Sequence, residues 1–163
     1  MKRLYLIRHA KSSWDDHALS DFERPLNERG QTDAPVMGKR LKQANAQPDC
    51  ILASPAERAL QTAQILAAEL DFPKERIITA KGIYEAGVSD LLKVIRSIED
   101  AFQHVLLIGH NPGMTDLANY LTDARLDNLP TCGVVCADFD VSSWKEVAAG
   151  QGTFVFFDCP KQG

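Results

Sequence analysis

Three short apolar runs, residues 4–7, 50–53 and 105–108, constrain this chain more than any other feature of it. Each is four residues long, and polar or turn-forming residues stand at its ends. Runs of this kind read as strands buried on both faces, as in parallel sheets that helices cover from either side. The segments between them carry apolar residues at helical spacing. Strand alternating with helix makes an α/β chain, and the shape that follows is a three-layer α/β/α sandwich around a mostly parallel, mixed sheet.

Local signals set the expected boundaries. The first strand covers residues 2–8. Asn27 caps a helix reaching residue 45, with Pro35 inside it and a kink expected near Gln31. Ser54, Pro55 and Glu57 have the pattern of a capping box with proline at the first helical position. That places Arg58 in the first turn of a helix that begins where the second strand stops. Asn111 and Pro112 repeat the arrangement after a strand at 103–109. A third strand is expected at 75–79 and a further helix at 89–101. Residues 133–140 and 152–157 read as a hairpin at the sheet edge. Residues 11–25 have no period and form a long loop, a type that often carries function. Trp14 and Phe22 are expected to fold this loop back onto the body, with His17 solvated.

A chain of 163 residues is expected to form one domain, 1–163. Its net charge of −4 offers no electrostatic basis for binding nucleic acid or an anionic membrane. The four cysteines form no C-x-x-C pair and have apolar neighbours, so they read as buried thiols. Cys132 and Cys136 have a ligand spacing only if they lie on a helix, and Gly133-Val134-Val135 reads as strand, so no metal site is expected. The run at 4–7 is too short for a signal-peptide core and no run approaches a membrane span, which leads to an expected cytoplasmic location.

Arg8-His9, Arg58 and His110 each stand just past the end of an expected buried strand. In a parallel sheet such ends share one rim, where ligands bind. Two of the three positions also lie at helix N-termini, where free N–H groups and the helix dipole attract anions. Arginine forks bind phosphate oxygens in pairs. The combination points to a dianion, most simply phosphate.

These residues also carry a resemblance. Leu6-Ile7-Arg8-His9-Ala10 resembles the arginine-histidine-glycine signature of the histidine phosphatase (phosphoglycerate mutase-like) superfamily. Ala53-Ser54-Pro55 with Arg58, Gln61 and Thr62 resembles its second motif, and Gly109-His110 its third. Arg8 through Trp14 and Arg24-Pro25-Leu26 look most like the SixA-like phosphohistidine phosphatase branch. The resemblance implies a phosphoglycerate mutase-like sandwich and a phosphatase that uses no cofactor or metal, with His9 as nucleophile. Arg8, Arg58 and His110 would hold the phosphoryl oxygens while a phosphohistidine forms on His9 and is hydrolysed. The guanidinium charges would keep the His9 imidazole neutral.

Glu85 lies in the stretch where relatives carry an acidic residue. It is a candidate general acid for an alkoxide leaving group, and equally a helix cap or a solvent-facing side chain. Ala10 departs from the family glycine, so a loop needing positive φ there would be strained. Lys11 and Ser12 follow the nucleophile and are within reach of a phosphate, but read first as solvated loop residues, and His104 reads as surface.

Larger relatives roof the site with insertions, and the short span between Ile77 and Leu91 leaves little room for one. An open site suits phosphohistidine carried on a phosphotransfer protein. Two alternatives share the pocket. One is a small-molecule phosphomonoesterase (less readily a mutase); the other is a non-catalytic module binding phosphorylated protein, against which the intact His9 argues.

Overall fold

Near the middle of a six-stranded sheet runs β1 (Lys2–Arg8), in a computed structural model that describes residues 1–161. The chain continues through α1 (Glu28–Gln43), β2 (Cys50–Ala53), α2 (Glu57–Glu69), β3 (Ile78–Thr79), α3 (Val88–Arg96), β4 (His104–Gly109), α4 (Gly113–Leu121), β5 (Val134–Phe139) and β6 (Thr153–Asp158). The strand order is β3-β2-β4-β1-β5-β6. The first four strands in that order are parallel, and β5 and β6 add an antiparallel edge. The sheet is mixed, as expected.

Alternation along the strands divides the core into two. Leu4 and Leu6 face one way with Val105 and Leu107, against Leu91, Ile95, Met114 and Leu117 from α3 and α4. Tyr5 and Ile7 face the other way with Leu106 and Ile108, against Met37, Leu41, Ala63 and Leu66 from α1 and α2. Both faces of β1 and β4 are therefore dry, which is why their sequences are unbroken apolar runs. Truncating a side chain as buried as Leu6 to Ala costs about 2–5 kcal/mol.

Several boundaries differ from the sequence expectation. β3 has two exposed residues only, preceded by a helical turn at Lys74–Arg76. It pairs with Leu52 and Ala53 at the outer edge, where little apolar surface is available to extend it. α3 stops at Arg96 rather than near 101, and beyond it the Asp100 carboxylate accepts hydrogen bonds from the Trp144 amide and the Ser143 hydroxyl. α1 begins as expected, with the Asn27 side chain accepting from the Gly30 amide at 2.9 Å, and it runs through Pro35 as one helix.

All four cysteines are buried and free. Among the described residues no helix is long and apolar enough to cross a membrane.

Candidate active site

The sheet ladder extends beyond the strand ends and fixes the residues that follow. The His9 amide donates to the Gly109 carbonyl at 3.0 Å, and the Ser54 amide to the Ile108 carbonyl at 3.1 Å. The Cys132 amide donates to the carbonyls of both Arg8 and His9. Positions 9, 54 and 110 are thereby held side by side at the C-terminal ends of three parallel strands, where a crevice opens. α1 and α2 grip the segment after His9. The Ala10 amide donates to Thr62 Oγ1 at 3.0 Å, and the Leu26 amide to Gln61 Oε1 at 2.8 Å. Gly30 lets the first turn of α1 lie against Lys11, since a Cβ there would stand 2.2 Å from the Lys11 carbonyl oxygen. Ala10 itself is buried and does not have positive φ, so replacing the family glycine leaves the loop unstrained.

His9 is 7% exposed. Its Nδ1 lies 2.7 Å from the Ala10 carbonyl oxygen, an acceptor only, so Nδ1 carries the proton and the Nε2 lone pair is free. Burial lowers the imidazole to about 3, against a smaller opposing effect of the Ala10 hydrogen bond. The positive charges of Arg58 and Arg8 push the same way, as expected, but rank below burial.

The His110 ring stands 5.1 Å from that of His9, centroid to centroid. Burial, with Arg58 next, lowers His110 to about 4. Its Nε2 lies 2.8 Å from Ser54 Oγ. Ser54 also accepts the Ala56 amide at 3.2 Å; in the tautomer where its hydroxyl donates to Nε2, the His110 proton sits on Nδ1. The expected capping box at Ser54 is therefore corrected: α2 starts at Glu57 with Ala56 as its cap residue, and no side chain caps it. The serine orients a histidine instead. Asn111 does act at its helix start, its Oδ1 accepting from the Thr115 amide and hydroxyl, although α4 begins at Gly113 and Pro112 holds the cap position.

Arg8 donates through Nη1 to the Leu129 carbonyl at 3.0 Å. Arg58, as expected, lies in the first turn of α2 and is buried. Its terminal nitrogens are held by Asp21, a residue the sequence reading did not single out. Asp21 also accepts from Arg24 and from the Tyr84 hydroxyl at 2.7 Å. Burial alone would raise the Asp21 carboxyl, but the hydrogen bonds from Tyr84, Arg24 and Arg58 outweigh it and hold it well below the ordinary carboxylate range. The same bond raises the Tyr84 phenol to about 12. The spacing of Asp21 and Arg24, three apart in an aperiodic stretch, was the available sign of this cluster.

Arg8, His9, Arg58 and His110 line one cavity of about 230 Å³, with Lys11, Ser12, Trp14, Arg24, Asn111 and Thr131. Among the described residues, four buried side-chain nitrogens lack a hydrogen-bond partner: Arg8 Nε, Arg58 Nε, His110 Nδ1 and His104 Nδ1. Three of the four belong to the side chains expected to hold phosphoryl oxygens. A buried polar nitrogen without a partner costs about 1–3 kcal/mol, and the three side chains that carry these line the same cavity.

Sequence comparison with known families agrees with this geometry. The family model for the histidine phosphatase superfamily (branch 1) matches residues 4–92. The chain belongs to that superfamily. The matched stretch contains Arg8, His9 and Arg58; His110 lies beyond it and joins the others through β4. An uncharacterized chloroplastic protein of Arabidopsis thaliana is 31% identical over 93% of this chain and 72% of its own length. The solved structure of SixA from Agrobacterium tumefaciens is 27% identical, with a TM-score of 0.81 over 98% of this chain and 99% of that one. A SixA structure complexed with tungstate superposes with a TM-score of 0.83 at 22% identity, covering 98% of this chain and 97% of that one. The histidine phosphatase described here is thus a phosphatase of the SixA-like branch with a phosphoglycerate mutase-like fold.

Other expected residues lie differently in this phosphatase. Glu85 is exposed, with a φ of 55°, and does not line the cavity; its neighbour Tyr84 stands between, its ring 5.5 Å from that of His110. Ser12 is buried rather than solvated, and its hydroxyl accepts from Arg24 at 2.6 Å. Trp14 does not pack onto the body: it is 67% exposed, and Arg24 stacks on its ring at 3.6 Å. Phe22 is also exposed and packs edge-on against Tyr84. Lys11 and His17 are exposed, as expected, while His104 is half-buried at the start of β4 rather than on the surface.

Proposed function

We propose that residues 1–163 act as one phosphohistidine phosphatase domain and that the substrate is a phosphohistidine carried on a protein. The observation that carries the reading is the convergence of Arg8, Arg58 and His110 with His9 on one cavity, each of the three having a buried nitrogen without a partner among the described residues. A phosphoryl group supplies the acceptors they lack. The tungstate held by a SixA structure of the same fold, an oxyanion, supports that assignment.

His9 Nε2 attacks phosphorus in line, and the bond from phosphorus to the leaving nitrogen breaks as the departing imidazole keeps a proton. Water then attacks the phosphohistidine at position 9, releasing inorganic phosphate and returning His9 to the neutral form. Arg8, Arg58 and the His110 Nδ1 proton hold the equatorial oxygens, where preorganised positive charge lowers the barrier to phosphoryl transfer. With two guanidiniums in that role, turnover is expected to persist in a chelator. Glu85 acts as general acid only where an alkoxide must leave. A cavity with the exposed side chains Trp14 and Lys11 in its lining suits a phosphoryl group presented on a protein surface.

Rapid quench with a labelled phosphohistidine protein is the test. An acid-labile, base-stable phosphoenzyme should accumulate, and His9→Ala should abolish it and lower kcat by at least about a thousandfold. Labelling that survives His9→Ala removes His9 as nucleophile. Faster turnover of sugar phosphates than of the phosphoprotein would transfer the assignment to a small-molecule phosphomonoesterase.

A further inference from the structure

A second cavity, of about 330 Å³, opens beside the first and shares Arg8, Lys11 and Thr131 with it. Its remaining walls come from the start of α1, the loop at 128–131 and residues 159–161 after β6. Four cations line it, Arg8, Lys11, Arg29 and Lys161, against one carboxylate, Asp33. Asp33 lies 3.4 Å from Arg29, and among the described residues Lys11 and Lys161 have no carboxylate partner. A chain with a net charge of −4 has thus gathered positive charge in one wall next to its phosphoryl cavity.

We propose that this cavity is a second anion subsite, which binds a carboxylate or phosphate carried by the same substrate as the reacting phosphoryl group. The inference rests on the reading of the His9 cavity as the phosphoryl site. The charge layout also sets the direction in which the substrate lies. On the Arg58 side of the phosphoryl cavity the Asp21 carboxylate offsets the charges of Arg58 and Arg24 and so weakens the attraction for a second anion there. On the Arg8 side stand Lys11, Arg29 and Lys161, which attract one. Arg8 belongs to both cavities, so it can face the phosphoryl group and the second anion together, as a planar guanidinium with five N–H donors is able to do.

Two sources can supply that anion: an acidic side chain beside the phosphohistidine of a protein, or the second phosphate of a small diester-free bisphosphate. Both reduce to the same chemistry, and paired ligands separate them.

The experiment is equilibrium binding by calorimetry, on the wild-type chain and on Arg29→Gln/Lys161→Gln, with propylphosphonate and propane-1,3-bisphosphonate as non-hydrolysable stand-ins for propyl phosphate and propane-1,3-bisphosphate. Both substituted side chains are exposed, outside the phosphoryl cavity, and free to change without disturbing the core. The wild type should bind the bisphosphonate about tenfold more tightly than the monophosphonate, a preference that shrinks as salt is added. The double variant should lose the preference and keep its affinity for propylphosphonate. Equal affinities in the wild type, or a preference that survives in the variant, overturn the subsite. Peptides bearing phosphohistidine beside Glu or beside Gln repeat the comparison: a Glu preference lost in the variant assigns the anion to a protein substrate, and a preference confined to the bisphosphonate assigns it to small esters. Bisphosphonate binding that depends on Arg29 and Lys161, in a chain that turns over no phosphoryl compound, upholds the subsite and overturns the proposed function instead.

Discussion

Arg58 gives both of its terminal nitrogens to Asp21, Nη1 donating to the backbone carbonyl at 2.6 Å and Nη2 to the carboxylate at 3.0 Å. Two of its five N–H donors are used there, and Nε has no partner among the described residues. An arginine held in this way is oriented before substrate arrives, which is the condition for electrostatic stabilisation without reorganisation. The carboxylate that holds it also binds Arg24 and Tyr84, so one acidic side chain positions a whole wall of the cavity.

Asp21→Ala is expected to lower kcat/KM by about ten- to a hundredfold, because Arg58 and Arg24 both lose their anchor and small displacements of positioning groups are costly. Steady-state kinetics on any accepted phosphoryl substrate provide the check. An unchanged kcat/KM would show that Arg58 is placed by α2 alone.

Ser54→Ala removes the hydroxyl proton that directs the His110 tautomer. The expected result is a loss of about tenfold in kcat/KM, with the imidazole of His110 shifting toward the Nε2-protonated form. Nitrogen NMR of the histidine ring reads the tautomer directly. If the Nδ1–H form persists in the variant, Ser54 only packs.

The two buried histidines make stability depend on pH with a definite sign. In the folded chain His9 is lowered to about 3 and His110 to about 4, both from an ordinary value of 6.5. Between those limits the unfolded chain binds more protons than the folded one, so stability is complete above pH 6.5 and falls as the pH drops below it. The Asp21 carboxyl, held low, loses its contribution only in stronger acid. Urea midpoints at pH 7.5 and pH 5 should show the lower value at pH 5, while ring NMR at pH 5 still finds both imidazoles neutral. Identical midpoints would contradict the buried neutral pair.

Glu85→Gln distinguishes leaving groups. Turnover of a phosphohistidine substrate should stay within about twofold of the parent, because a protonated imidazole departs unaided, whereas alkyl phosphate esters should slow by at least about tenfold. Equal slowing of both classes would end the general-acid assignment. The exposed position of the carboxylate, outside the cavity wall, is consistent with a group that meets only the departing end of a substrate.

Burial on both faces made the strands legible in the chain itself. A residue packed between two helix layers has to be apolar, so 4–7, 50–53 and 105–108 announce themselves, and the polar residues at their ends announce the rim. That His9, Arg8, Arg58 and His110 share one cavity was legible in that way. Their partners were not, because a local pattern records only neighbours in sequence. Ser54 has the spacing of a helix cap, but a histidine fifty-six positions away competes for its hydroxyl and wins. Asp21 sits in an aperiodic loop, and nothing nearby in the chain says that it will meet Arg58 thirty-seven residues on. The elements and the rim followed from hydrophobic pattern alone; the protonation state of each imidazole, the aim of Arg58 and the charged cavity beside Arg8 depend on which distant groups desolvate and bond one another, and only the folded chain decides that.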